Sequence, residues 1–94
     1  GAGAVGMSAA ALARKAGAGQ VIVIGGPASR LSLAAQMGAD VTINLDETTP
    51  EARLEQVLAL TGGLGADVVI EAAGSALAFE EGVRLARNGG AYVI

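Results

Sequence analysis

Apolar residues come in short blocks along this chain, and glycine or proline separates them. Residues 4–16 are apolar almost all round, with Val5, Met7, Ala9, Ala10, Ala11, Leu12 and Ala13. That pattern predicts a helix buried on most sides. Arg14 and Lys15 fall in its last turn, where cations suit the helix dipole. Gly17 suits the position just past its end. Residues 20–25 (Gln-Val-Ile-Val-Ile-Gly) are a β-branched run, expected to be a fully buried strand. Gly26-Pro27 breaks that run. A second helix is expected over 28–37, with Leu31, Ala34 and Ala35 at helical spacing. Gly38-Ala39-Asp40 ends it, and residues 41–44 read as a strand.

Residues 45–49 read as a polar loop. Thr49-Pro50-Glu51 is a strong helix start: a hydroxyl cap, proline at the first helical position, and an acid behind it. The helix reaching Thr61 directs Leu54, Val57, Leu58 and Leu60 inward and Arg53, Glu55 and Gln56 outward. Gly62-Gly63 terminates it. Residues 66–73 read as another buried strand. Ser75 is placed to cap a helix reaching Arg87, which Asn88-Gly89-Gly90 closes. Residues 91–94 open a last strand. Four times a glycine closes a helix or its loop and a strand begins. This α/β alternation predicts a doubly wound parallel sheet, the Rossmann arrangement, with right-handed crossovers.

Composition narrows the function classes. The chain has 94 residues, enough for one domain with a modest core. Phe79 and Tyr92 are its two aromatic residues, so packing rests on aliphatic side chains, as in a buried parallel sheet. The net charge of −3 argues against a nucleic-acid partner, which calls for a basic face. There is no Cys and no His. Disulfides, Cys/His zinc sites and Ser–His or Cys–His nucleophile pairs are therefore excluded within this stretch. No apolar run approaches the roughly 20 residues of a membrane span. The expectation is a soluble, cytoplasmic protein with no membrane partner.

The candidate chemistry lies at the start. Gly1-Ala2-Gly3-Ala4-Val5-Gly6 spells G-x-G-x-x-G. In a dinucleotide fingerprint the first glycine permits a tight turn, and the second lets the backbone approach the pyrophosphate. The third lets the helix pack close to the sheet. The helix N-terminus then offers free N–H groups to the anion. The motif alone is weak in a chain with 15 glycines. The Ala-rich helix and the buried strand that follow give it its context.

The fingerprint also wants an acid at the end of the next strand, to hold the adenosine ribose hydroxyls. Gly25 occupies that place and Gly26 follows. The missing acid leaves room for a 2′-phosphate, with Ser29 and Arg30 just downstream to meet one. The cofactor reading is therefore NAD or NADP, tipped slightly towards NADP. Glu71, at a strand end, is read as a structural hydrogen-bonding group, and Tyr92 as a packing residue. Ala72 and Ala73 are small enough to lie against a cofactor. Asp40 and Asp67 precede strands and read as loop or capping residues at the far end of the sheet.

Several stretches together resemble the cofactor domain of zinc-type medium-chain alcohol dehydrogenases. They are the glycine motif, Arg30-Leu31, Met37-Gly38-Ala39-Asp40, Leu60-Thr61-Gly62-Gly63, Gly65 to Gly74, and Arg87-Asn88-Gly89-Gly90. The resemblance covers essentially the whole chain, and its stretch from Leu60 to Gly74 is more specific than the glycine motif. It implies oxidation of an alcohol by NAD(P), or the reverse reduction of a carbonyl. By position, Gly3, Ala4 and Val5 would lie along the pyrophosphate and towards the nicotinamide. Gly25 replaces the ribose-binding acid, Arg30 flanks the adenosine ribose, and Ala72 and Ala73 lie beside the nicotinamide half.

The family's zinc ligands belong to a separate catalytic domain that this sequence does not include. The strand before the glycine motif, central in a sheet of order 3-2-1-4-5-6, is also absent, as is the last strand. The expectation is a fragment of a longer, homo-oligomeric enzyme, with a gap in its sheet and poor folding by itself. A zinc-free quinone or enoyl reductase of the same superfamily, a non-catalytic NAD(P)-binding module and a methyltransferase are the rival readings. The last of these usually wants the acid that Gly25 denies.

Overall fold

A computed structural model describes residues 1–94. The chain divides into two units, Gly1–Thr48 and Thr49–Ile94. In the first unit, helix α1 (Ala4–Lys15) leads to strand β1 (Ile22–Gly25), helix α2 (Ala28–Met37) and strand β2 (Val41–Asn44). A 3-10 turn over Leu45–Glu47 lies where a plain polar loop was expected. In the second unit, helix α3 (Pro50–Leu60) is followed by strand β3 (Ala66–Ile70), helix α4 (Ala76–Leu85) and strand β4 (Ala86–Val93). β1 pairs with β2, and β3 with β4, both in parallel. The α/β alternation and the parallel pairing are as the sequence predicts.

The core of the first unit is built from small and branched residues. Ala2, Ala10, Val21, Val23, Leu31 and Ala34 are buried together, with Met7, Ala13, Ala18 and Ala39 packed around them. Ala10 on α1 and Ala34 on α2 carry a single methyl each, which lets both helices approach β1 closely. The far end of this unit is tied by charge. Asp40 accepts a hydrogen bond from the Val21 N–H at 2.7 Å and pairs with Arg14. Arg14 also donates to the carbonyls of Ala18 at 3.1 Å and Gly38 at 3.3 Å. Arg14 therefore serves the ends of both helices. The Arg14–Asp40 pair is half exposed and contributes little by itself. The bond to buried Val21 matters more. Asp40→Ala is expected to lower stability by about 1–3 kcal/mol, the cost of a buried donor left unpaired. Asp40→Asn, which keeps an acceptor, should cost less. Urea denaturation of the full-length protein measures both.

Helix ends follow the local chemistry. α1 closes with the Gly17 N–H on the Arg14 carbonyl and the Ala18 N–H on the Ala13 carbonyl, the paired bonds of a Schellman ending. Thr49 caps α3 through the Ala52 N–H at 3.1 Å, with Pro50 at its start. Ser75 caps α4 through the Ala78 N–H at 3.1 Å. These starts were legible in the sequence.

Several expectations fail, each for a physical reason. α1 is not buried on most sides: among its own residues Ala10 alone is fully buried, and Val5 and Leu12 are 71% and 66% exposed. The first unit offers α1 a single strand pair to pack on, so one face stays open. Strand β1 starts at Ile22, and Gln20 is exposed. Strand β3 stops at Ile70, and Val68 and Ile70 are about half exposed, so it is not a buried strand. Ala35 on α2 and Leu60 at the end of α3 also face out.

Helix α4 ends at Leu85 instead of Arg87, and residues 86–90 belong to β4. Ala86 pairs with Ala66, a bulge follows, and Ala91 pairs with Val68. Gly90 presses against the sheet there. A Cβ on it would lie 2.9 Å from the Asp67 carbonyl oxygen, so only glycine fits.

Arg53 is the largest reversal. Read as solvent-facing, it is 4% exposed. Its Nε and Nη2 each donate to Glu81 of α4 at 2.7 Å. This forked pair joins α3 to α4 beside buried Val57 and Leu85. The Glu81 hydrogen bonds raise the Arg53 pKa above its ordinary value, with burial pulling the other way. An arginine with a raised pKa loses this stabilisation on rising pH only in strong alkali.

Candidate functional site

Parallel strands bring their C-terminal ends to one edge, which is where ligands bind in open α/β sheets. In the first unit that edge gathers the glycine turn, the end of β1 and the start of α2. Gly3 is the N-cap of α1, extended at φ −77° and ψ −174°. No side chain caps α1, and its first turn holds no acid. α2 begins the same way, with Pro27 as N-cap, no side-chain cap bond and no acid in its first turn. The other two α-helices do carry side-chain caps. The two uncapped helix starts therefore present their N–H groups, including those of Ala4, Val5 and Gly6, and the positive ends of their dipoles.

The turn lies directly against the strand end. Ala2 is buried, and a Cβ on Gly25 would meet the Ala2 nitrogen at 2.7 Å and the Ala2 Cβ at 2.9 Å. The Gly1 carbonyl carbon would be 3.2 Å away. Gly25 is thus glycine because Gly1-Ala2 crosses over it. The absence of an acid at this position has a packing cause.

Gly3 has space above it. The nearest atom to a Cβ there is Nη1 of Arg30, at 3.8 Å. The Arg30 guanidinium, carried on the first turn of α2, therefore stands at the glycine turn. Ser29 is exposed beside it on α2. The structure thus brings Gly1, Gly3, Gly25 and Arg30 together, with Gly26 next to Gly25. A glycine backbone, two uncapped helix ends and one guanidinium suit a phosphate-bearing ligand, so these residues fit a dinucleotide pyrophosphate.

One neighbour is not indicated by the sequence. Asp46, within the segment expected to be a polar loop, reaches back to the end of β1. A Cβ on Gly26 would lie 3.5 Å from Asp46 Oδ2 and 3.5 Å from Asn44 Oδ1. The neighbourhood follows from the register: Gly25 pairs with Asn44, so residues just past both ends are neighbours.

In the second unit, Ala72 and Ala73 follow the end of β3. Ala72 is half-buried and Ala73 exposed. Glu71 holds their turn, accepting the N–H groups of Ala73 at 2.6 Å and Gly74 at 2.8 Å. That is the structural role expected of it. Tyr92 packs edge-on against Phe79, ring centres 5.3 Å apart, and burial raises its pKa. It is a packing residue, as expected. Asp67 pairs with Arg87 at 3.0 Å in the exposed bulge region. No three His, Cys, Asp or Glu side chains group to hold a metal. No helix is long and apolar enough to cross a membrane.

Known proteins are similar to this chain in sequence and in fold. The family model described as zinc-binding dehydrogenase matches residues 4–94. The 5-exo-hydroxycamphor dehydrogenase of Pseudomonas putida is 47% identical over 94 residues, all of this chain and 26% of that protein. The L-threonine 3-dehydrogenase of Bacillus subtilis is 45% identical, again over all of this chain and 26% of that protein. The crystal structure of an alcohol dehydrogenase from Thermotoga maritima superposes with a TM-score of 0.94 at 46% identity, covering 98% of this chain and 25% of that one. This chain spans about a quarter of the length of the curated relatives it matches. With a matching family model over nearly its whole length, and a parallel α/β fold shared with solved dehydrogenases, the chain belongs to the zinc-binding dehydrogenase family.

Proposed function

We propose that residues 1–94 form the NAD(P)-binding Rossmann part of a longer zinc-dependent alcohol or polyol dehydrogenase. That enzyme would exchange a hydride between the carbinol carbon of a small alcohol and the nicotinamide ring. The observation that carries this reading is the crossing of Gly1-Ala2 over Gly25, which sets an open glycine turn and the Arg30 guanidinium before the uncapped start of α1.

On this reading the Gly1–Gly3 backbone approaches the pyrophosphate, and the N–H groups of Ala4, Val5 and Gly6 point towards it. Arg30 supplies the matching positive charge. Gly25 and Gly26 line the adenosine ribose side, with Ser29 next to Arg30. By position in the family, Ala72 and Ala73 would lie beside the nicotinamide half. The bound dinucleotide supplies the hydride acceptor, and the protein supplies binding and orientation. A zinc ion, where the enzyme carries one, takes its ligands from outside these residues, since none group here. The same proposal takes the full-length protein as a cytoplasmic homo-oligomer.

Titrating the full-length protein with NADH and NADPH, and following cofactor fluorescence, tests this directly. Binding of neither sinks the proposal. A zinc assay on the same protein separates a zinc dehydrogenase from a zinc-free reductase.

Gly3 offers a clean variant, because a Cβ there meets no protein atom closer than 3.8 Å. Gly3→Ala should leave stability within about 0.5 kcal/mol of the parent. It should weaken cofactor binding about tenfold or more, roughly 1.4 kcal/mol, by filling the space the phosphates need. Equal affinity in parent and variant would remove the glycine turn from the site.

A further inference from the structure

We infer that Asp46 supplies the carboxylate that receives the adenosine ribose hydroxyls, and that it makes this site one for NAD rather than NADP. The inference rests on the dinucleotide reading of the glycine turn.

The position that usually carries such an acid is closed. Gly25 cannot bear a side chain, since its Cβ would collide with the Ala2 backbone at 2.7 Å. The next position, Gly26, is open, and the groups facing it are both acceptors: Asp46 Oδ2 and Asn44 Oδ1, each 3.5 Å from where its Cβ would be. An acid from the second strand end thus lies beside Gly26, one residue past the position that usually carries the ribose-binding acid.

The acid is also held there. The Asp46 N–H donates to Asn44 Oδ1 at 2.9 Å, and Asn44 is the last residue of β2. The 3-10 turn over Leu45–Glu47 fixes the reach from strand to carboxylate. Asp46 is exposed, and no Lys or Arg lies within ion-pair distance of it. A free carboxylate can accept two ribose hydroxyls. The same charge repels a 2′-phosphate placed on that ribose.

Arg30 makes no ion pair with Asp46. Its guanidinium stands at Gly3, on the pyrophosphate side. The two charges therefore divide the ligand between them, with the cation at the phosphates and the anion at the sugar. Gly25 and Arg30 are compatible with NADP by sequence, and Asp46 tips the balance the other way.

The test is equilibrium binding of NADH and NADPH to the full-length protein, for the parent and for Asp46→Asn, Asp46→Ala and Asp46→Glu. Competition by AMP and by 2′,5′-ADP gives a second readout independent of turnover. In the parent, NADH should bind at least about tenfold tighter than NADPH, and AMP should compete better than 2′,5′-ADP. Asp46→Asn and Asp46→Ala should narrow the NADH/NADPH ratio by about tenfold, and Asp46→Glu should keep the preference for NADH. A parent that binds NADPH as tightly as NADH overturns the inference. So does a ratio that Asp46→Asn and Asp46→Ala leave unchanged. In both cases the dinucleotide reading survives. A parent that binds neither cofactor overturns both.

Discussion

Gly25→Asp, the change that installs the customary ribose-binding acid, is expected to damage this protein instead of sharpening its cofactor choice. The cause is the crossing of Gly1-Ala2 over the end of β1. The new Cβ would meet the Ala2 nitrogen at 2.7 Å, the Ala2 Cβ at 2.9 Å and the Gly1 carbonyl carbon at 3.2 Å. Two of these are backbone atoms, which cannot rotate away. Relief requires moving the glycine turn off the strand, and on the proposed reading that turn is the phosphate site. Overpacking of this kind costs about 1–3 kcal/mol. Cofactor affinity should fall by well over tenfold, because the N–H groups of α1 shift with the turn. Gly25→Ala should carry most of both losses, since the clash begins at Cβ. Chemical denaturation and NADH titration of the full-length protein read the two effects. Tighter NADH binding by Gly25→Asp at unchanged stability would show that the crossing is not a constraint.

The second large effect is expected at Arg53, far from any ligand role. Its side chain and that of Glu81 are 5% and 17% exposed, joined by two hydrogen bonds of 2.7 Å. Removing one partner leaves the other charge buried without its counter-ion. Arg53→Ala is expected to cost about 3–5 kcal/mol. That is a large share of the roughly 5–15 kcal/mol by which domains are stable. The double change Arg53→Met with Glu81→Leu should cost less than Arg53→Ala alone, because it removes both charges and keeps the volume. Urea unfolding of the three variants decides this. A double variant as damaged as the single one would mean that the geometry of the pair, not its uncompensated charge, holds α3 to α4.

What the sequence shows here is what acts locally. α2 and β2 were placed to the residue because Gly26-Pro27 and Gly38 punctuate them. Thr49 and Ser75 announced their helices because a hydroxyl three residues ahead of a free N–H is a short-range arrangement. The misses are long-range. Arg53 looked polar and therefore outward, yet it shares a helix face with Val57 four residues on, and its partner Glu81 lies 28 residues away. Residues 86–90 looked like a helix end because Asn88-Gly89-Gly90 favours one. Pairing of Ala86 with Ala66 outweighed that preference.

The candidate site divides in the same way. The glycine turn and Arg30 were visible as a motif and a nearby cation. Gly25 was seen as a missing acid, and the crossing of Gly1-Ala2 that explains it depends on residues over twenty positions apart. Asp46 carries no sequence signal, because its relation to Gly26 exists only once β1 and β2 are in register.

The contrast between the helix starts has one more consequence. Thr49 and Ser75 finish α3 and α4 from within the chain, whereas α1 and α2 begin with nothing of their own across their N–H groups. On the proposed reading the dinucleotide is the missing cap, and folding of the first unit is linked to cofactor supply. A ligand at a hundred times its Kd adds about 2.7 kcal/mol to the folded state. A cell rich in cofactor thus holds this half of the chain closed, and a depleted one exposes it to proteases. On that reading the coenzyme pool would set how long the protein lasts.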